Sequence, residues 1–133
     1  MQFTSPTVSC SASAEVVLAF LADPSHLIEL LPADRFSDAE ARPDGCSFKL
    51  NGGIPVVLVR GEDPPGGVRY DSAKGTPVRF FIVVHAVPSG AGDQCEVHLE
   101  GEAEVNAFTR MIVEKPLNQV IESLSAALRA RFS

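Results

Sequence analysis

Over residues 95–105 every second residue is apolar or small (Cys95, Val97, Leu99, Gly101, Ala103, Val105), and every residue between them is Glu or His. Side chains alternate between the two faces of a strand, so this stretch reads as a β-strand with one side on a core and the other in water. A chain built around such a strand needs more sheet beside it and an apolar cover for one face.

The rest of the chain supplies both. Residues 2–9 read as a first strand, which Pro6 makes an edge or bulged strand. Ser11 or Ser13 caps a helix with Glu15 in its first turn and an apolar face of Val17, Leu18, Phe20 and Leu21. Asp23-Pro24 ends that helix and starts a second short one, which stops near Pro32. From residue 35 the period is two, with strands at 36–42, 46–50, 54–62, 68–74, 78–87 and 94–104. Turn signals separate them at Pro43-Asp44-Gly45, Asn51-Gly52-Gly53, residues 63–67 and residues 88–93.

Residues 106–132 then switch to helical period. Phe108, Met111, Ile112, Leu117, Val120, Ile121, Leu124 and Leu128 recur at steps of mostly three and four behind an Asn106 cap. Pro116 either kinks this helix or begins a second one. Consecutive short strands pair as antiparallel meanders, and the long helix is the one element able to cover them. The expectation is a single α+β domain over residues 1–133, with a curved antiparallel sheet of about seven strands wrapped around the C-terminal helix.

This order, β-α-α-β6-α, resembles the START-like helix-grip superfamily (SRPBCC), including its polyketide cyclase/dehydrase-like and lipid-transfer branches. Two segments carry the likeness. Ser13-Ala14-Glu15-Val16-Val17-Leu18-Ala19-Phe20-Leu21-Ala22-Asp23-Pro24 looks like the family's opening helix, with its terminal Asp-Pro pair. Met111-Ile112-Val113-Glu114-Lys115-Pro116-Leu117 is similar to the last-helix segment of small bacterial members. The resemblance implies a hydrophobic or amphipathic ligand held between sheet and helix. It carries no shared catalytic motif, so it assigns no catalytic residue.

Charge and composition exclude other classes. The formal net charge is −6, and residues 106–133 hold four cations against two carboxylates, leaving an acidic body that repels phosphate backbones. Nucleic acid is therefore not an expected partner, and the basic helix end complements the helix dipole. The longest apolar runs, residues 54–59 and 80–84, are strand-sized and cannot span a bilayer. No leader pattern precedes residue 15, so a cytoplasmic location is expected. Cys10, Cys46 and Cys95 are odd in number and widely spaced, against a disulfide framework or a zinc knuckle. Neither His26, His85 nor His98 has metal-ligand spacing to another, so no metal or cofactor is expected. The pairs Gly52-Gly53 and Gly66-Gly67 precede no helix and read as turns, not phosphate cradles.

Inward parity defines a candidate pocket. From the sheet it takes Phe48, Val56, Leu58, Tyr70, Phe80, Ile82, Val97, Leu99 and Ala103. From the helix it takes Phe108, Met111, Ile112, Val120 and Leu124. Tyr70 either orients the polar end of a ligand or satisfies a core acceptor. For residues 78–87, burial of the uniformly apolar set is simpler; the opposite parity puts Arg79 and His85 in the pocket as anion anchor and acid/base. Cys46 and Cys95 read as small core residues, and His98 as a surface group beside Glu96 and Glu100. Gly101 reads as a bend in the sheet and Ala103 as a border of the pocket. Three functions fit: a carrier or sensor of a hydrophobic small molecule, a cyclase- or dehydratase-type enzyme using Tyr70, His85 and Arg79, or an interaction module whose second sheet face docks a partner or a second copy.

Overall fold

The computed structural model describes residues 1–51 and 53–133. Gly52, within the expected turn at 51–53, lies outside the described residues. The first strand is two, β1 (Gln2–Thr4) and β2 (Val8–Cys10), and both pair antiparallel with the last strand. Pro6 has no N–H to give, and the register moves by one residue between the two pieces. Ser5 bridges the break. Its N–H donates to the Leu99 carbonyl at 2.8 Å, and its hydroxyl accepts from the Leu99 N–H at 2.8 Å.

Helix α1 (Ala14–Ala22) starts where the Ser13 hydroxyl accepts from the Val16 N–H, and it buries Val17 and Leu21. Asp23 ends α1 and caps α2 (Pro24–Glu29), where its carboxylate accepts from the Ser25 N–H at 2.9 Å with Pro24 in the first turn. The remaining strands are β3 (Phe36–Arg42), β4 (Gly45–Leu50), β5 (Ile54–Arg60), β6 (Gly67–Ser72), β7 (Phe80–Ser89) and β8 (Gln94–Ala103). They form an antiparallel meander in the spatial order β1-β8-β7-β6-β5-β4-β3, with β2 also on β8. The described sheet thus has eight strands instead of about seven. Strand β7 begins two residues later than expected and leaves Arg79 just outside it.

Helix α3 (Ala107–Arg131) is one helix with Pro116 inside it. The Asn106 side chain and Thr109 form a reciprocal cap at its start. Its buried residues are Leu117, Val120, Ile121, Leu124, Ser125 and Leu128, all beyond Pro116. No residue from 107 to 116 is buried. This corrects the expected pocket: Phe108, Met111 and Ile112 are 72%, 85% and 53% exposed. At about 100° per residue, Phe108, Met111 and Ile112 lie on the side of the helix away from Leu117, Val120, Leu124 and Leu128.

Gly101 serves a close approach. It stands in register with Phe3, whose ring lies across it. A Cβ at position 101 would overlap the Phe81 carbonyl and come within 2.5–2.6 Å of the Phe3 ring.

Candidate functional site

Cross-strand register aims one set of side chains at α3. Phe48 opposes Val56, Cys46 opposes Leu58, and Tyr70 opposes Ile82. Between these strands and α3 lies a cavity of about 40 Å³. Phe48, Val56, Leu58, Phe80, Ile82 and Val120 border it, as inward parity predicts. The reading missed Leu50, Ile54, Val78, Val113 and Leu117, which complete the wall with Pro116 and the 76–77 turn. Strand parity flags Leu50, Ile54 and Val78, and helical spacing with Val120 flags Val113 and Leu117, but the contribution of residues 76–77 depends on how that turn folds back.

The wall is wholly apolar. Its one hydroxyl, Thr76, is already committed: it accepts from the Val57 N–H at 2.8 Å and donates to the Val57 carbonyl at 3.2 Å. A cavity of this size admits a water or two, and an apolar one stays dry.

Five expected lining residues stand elsewhere. Val97, Leu99, Ala103 and Leu124 are buried in the filled core and do not border the cavity. Tyr70 is 2% exposed and donates from its hydroxyl to the Leu21 carbonyl at 2.6 Å. Burial pushes its phenol far above the ordinary value, against a smaller opposing effect of Arg60. Tyr70 is thus the satisfied core hydroxyl of the two readings offered for it.

The polar alternative is also corrected. The uniformly apolar set of β7 faces inward, with Phe80, Ile82, Val84 and Ala86 all buried. Arg79 is exposed and lies 3.9 Å from Glu104. His85 points to the outer face, where its Nε2 lies 2.6 Å from a Glu100 oxygen and its ring stacks on His98. Tyr70, Arg79 and His85 therefore do not form one site.

A wider hollow of about 830 Å³ opens beside the start of β7 and the end of β8, between Met1, Arg69, Phe81 and Glu102. Two ion pairs border it, Arg69 with Asp71 at 2.8 Å and Arg79 with Glu104 at 3.9 Å. An apolar ligand is better matched by the small cavity under α3 than by this charged groove. Among the described residues no helix is long and apolar enough to cross a membrane.

No family model matches the sequence, and no curated protein matches it. Solved structures match its fold. A START superfamily protein from Mycobacterium smegmatis superposes with a TM-score of 0.73 at 16% identity, covering 98% of this chain and 96% of that one. The protein XoxI from Bacillus cereus does so with 0.75 at 12% identity, over 98% and 94%. Norcoclaurine synthase from Thalictrum flavum, solved in complex with dopamine and hydroxybenzaldehyde, gives 0.68 at 20% identity, over 100% and 90%. At such identities the likeness is one of fold, and the fold of this chain is the START-like helix grip.

Proposed function

We propose that this chain binds a hydrophobic or amphipathic small molecule between its sheet and α3. The observation that carries this reading is the apolar cavity under α3 at Val113, Pro116, Leu117 and Val120, where the buried part of the helix begins. At about 40 Å³ the cavity is too small for a ligand, since ligand pockets span roughly 300–1,000 Å³. Uptake therefore requires residues 107–116 to swing outward. Pro116 lacks the N–H that would tie it to the Ile112 carbonyl, so the helix is weakest where its packing begins. The fold likeness to a synthase solved with two small aromatic molecules is in keeping with such a site.

A carrier or sensor suits the site better than an enzyme. The cavity wall offers no acid, base or nucleophile, and the three residues required by the enzymatic alternative are dispersed. Docking of a partner or a second copy through the outer sheet face has less support, because Glu96, Glu100 and Glu102 are exposed there. Binding in the cytoplasm accords with three buried free thiols, two of them facing each other unbonded as Cys10 and Cys95.

Native mass spectrometry of gently purified protein tests the proposal, together with fluorescence of 1-anilinonaphthalene-8-sulfonate. A copurifying apolar molecule, or dye binding that is lost in Val113→Trp and kept in Arg79→Ala, supports it. No copurifying molecule together with dye binding indifferent to Val113→Trp overturns it.

A further inference from the structure

We propose that His85, His98 and Glu100 form a binding site for a divalent first-row transition metal ion of the Zn²⁺, Ni²⁺ or Cu²⁺ class. The site lies on the outer face of the β7–β8 hairpin. His85 and His98 are directly opposed in the ladder, and Glu100 is the next outward residue along β8. The two imidazoles stack at 4.8 Å between centroids with 15° between their planes, so one ring must turn about its Cβ–Cγ bond to aim its in-plane lone pair at a shared ion. One donor atom from each of the three residues falls within 4.8 Å of the others.

This donor set is chemically selective. Two imidazoles and one carboxylate suit borderline ions and disfavour Mg²⁺ and Ca²⁺, which take oxygen ligands. Donors on a tetrahedral zinc ion sit about 2.0–2.1 Å from the metal, hence roughly 3.3 Å from each other. The His85–Glu100 pair is closer than that at 2.6 Å, held by a shared hydrogen bond. Metal binding replaces the proton of that bond and moves the carboxylate outward. The motion is a side-chain rotation, because Glu100 is about half exposed at 48% and has room to turn. The backbone needs no change, since two adjacent strands already set the spacing. Water completes the coordination, as it does in open three-ligand sites.

The surroundings favour a cation. Glu96 and Glu102 extend the same face of β8, and the whole chain carries −6. Arg69, the neighbouring cation on β6, is held away: it pairs with Asp71 at 2.8 Å and lies over the Phe81 ring at 4.1 Å. The sequence conceals this site because its histidines lie on different strands. Only the hairpin register makes them neighbours.

Untagged, chelator-stripped protein titrated with Zn²⁺ in a calorimeter tests the assignment, with visible absorption of added Co²⁺ as a coordination signature. The expected result is one saturable equivalent and a Co²⁺ band. His85→Ala and His98→Ala should each weaken Zn²⁺ binding by about tenfold or more, in line with the usual loss on disturbing a metal site. Added Zn²⁺ should raise the thermal midpoint of the parent and leave that of the double histidine variant unchanged. Absence of a saturable equivalent in the parent overturns the proposal. So does undiminished affinity in the double variant, which would leave His85–Glu100 as a surface ion pair. Should that variant not fold, His98→Gln decides by the same criterion.

Discussion

The Tyr70 hydroxyl on β6 donates a 2.6 Å hydrogen bond to the carbonyl of Leu21 in the last turn of α1. The end of α1 is thereby fastened to the sheet where neither group meets water. Tyr70→Phe removes the donor and leaves a buried helix carbonyl unpaired, which costs about 1–3 kcal/mol. Urea unfolding should show a lower midpoint with an unchanged slope, and dye binding should survive, because Tyr70 does not border the cavity. An unchanged midpoint would mean that another donor takes over the Leu21 carbonyl.

Alkaline pH should weaken the fold through Cys46. Burial pushes its thiol up to about 11 from an ordinary 9.0, with Arg42 opposing weakly. Below pH 9 both folded and unfolded chains keep this proton, so its contribution is fully present. Between about pH 9 and 11 the unfolded chain ionises first, and stability falls as pH rises through that window. Urea midpoints measured from pH 8 to 11 should decline, and Cys46→Ala should make that slope shallower without abolishing it, since burial also pushes up the Cys10 and Cys95 thiols. The Tyr70 phenol, also pushed up by burial, adds a decline in the same direction from about pH 10.

The two halves of α3 should respond differently to truncation. Leu128 is fully buried, so Leu128→Ala should cost about 2–5 kcal/mol. Met111 is 85% exposed, and Met111→Ala should stay within ~0.5 kcal/mol. Chemical denaturation of both variants checks the contrast. A large loss at Met111 would place a partner over the first half of the helix.

Amide exchange should divide α3 in the same place. Protection should be strong from Leu117 to Leu128 and along β8, and weak from residue 107 to 116, where no side chain is buried. Uniform slow exchange along the helix would rule out the opening motion that ligand uptake needs.

Gly101→Ala should destabilise by roughly 1–3 kcal/mol, the usual range for overpacking. The added carbon meets both the Phe3 ring and the Phe81 carbonyl. Phe3→Ala removes one of those two obstacles, so a double-mutant cycle should show coupling between positions 3 and 101. Additive losses would mean that the Phe81 backbone alone sets the cost.

Local signals carried most of the fold. The Ser13 and Asn106 caps, Asp23-Pro24 and the alternation of β8 each act through groups a few residues apart, and their elements stand within a few residues of the expected positions. Pro6 is read correctly as a disturbance, but the side chain of Ser5 turns it into a break between two registered strands. The site was legible only in part. Phe48, Val56 and Leu58 follow from parity, because a strand side chain must take one of two faces. Thr76 and Pro77 do not follow, because they reach the cavity through the path of a turn.

By itself, then, the sequence determined which residues form strands and helices and which face of each is apolar, since short-range sterics, capping and periodicity decide those matters. Tertiary structure decided what covers each apolar face. It left Phe108, Met111 and Ile112 uncovered, on the side of α3 turned away from Leu117, Leu124 and Leu128. It also brought His85 beside His98 and laid Phe3 over Gly101. Those outcomes depend on strand register and on which side of the helix meets the sheet, and both are set by contacts between residues far apart in the chain.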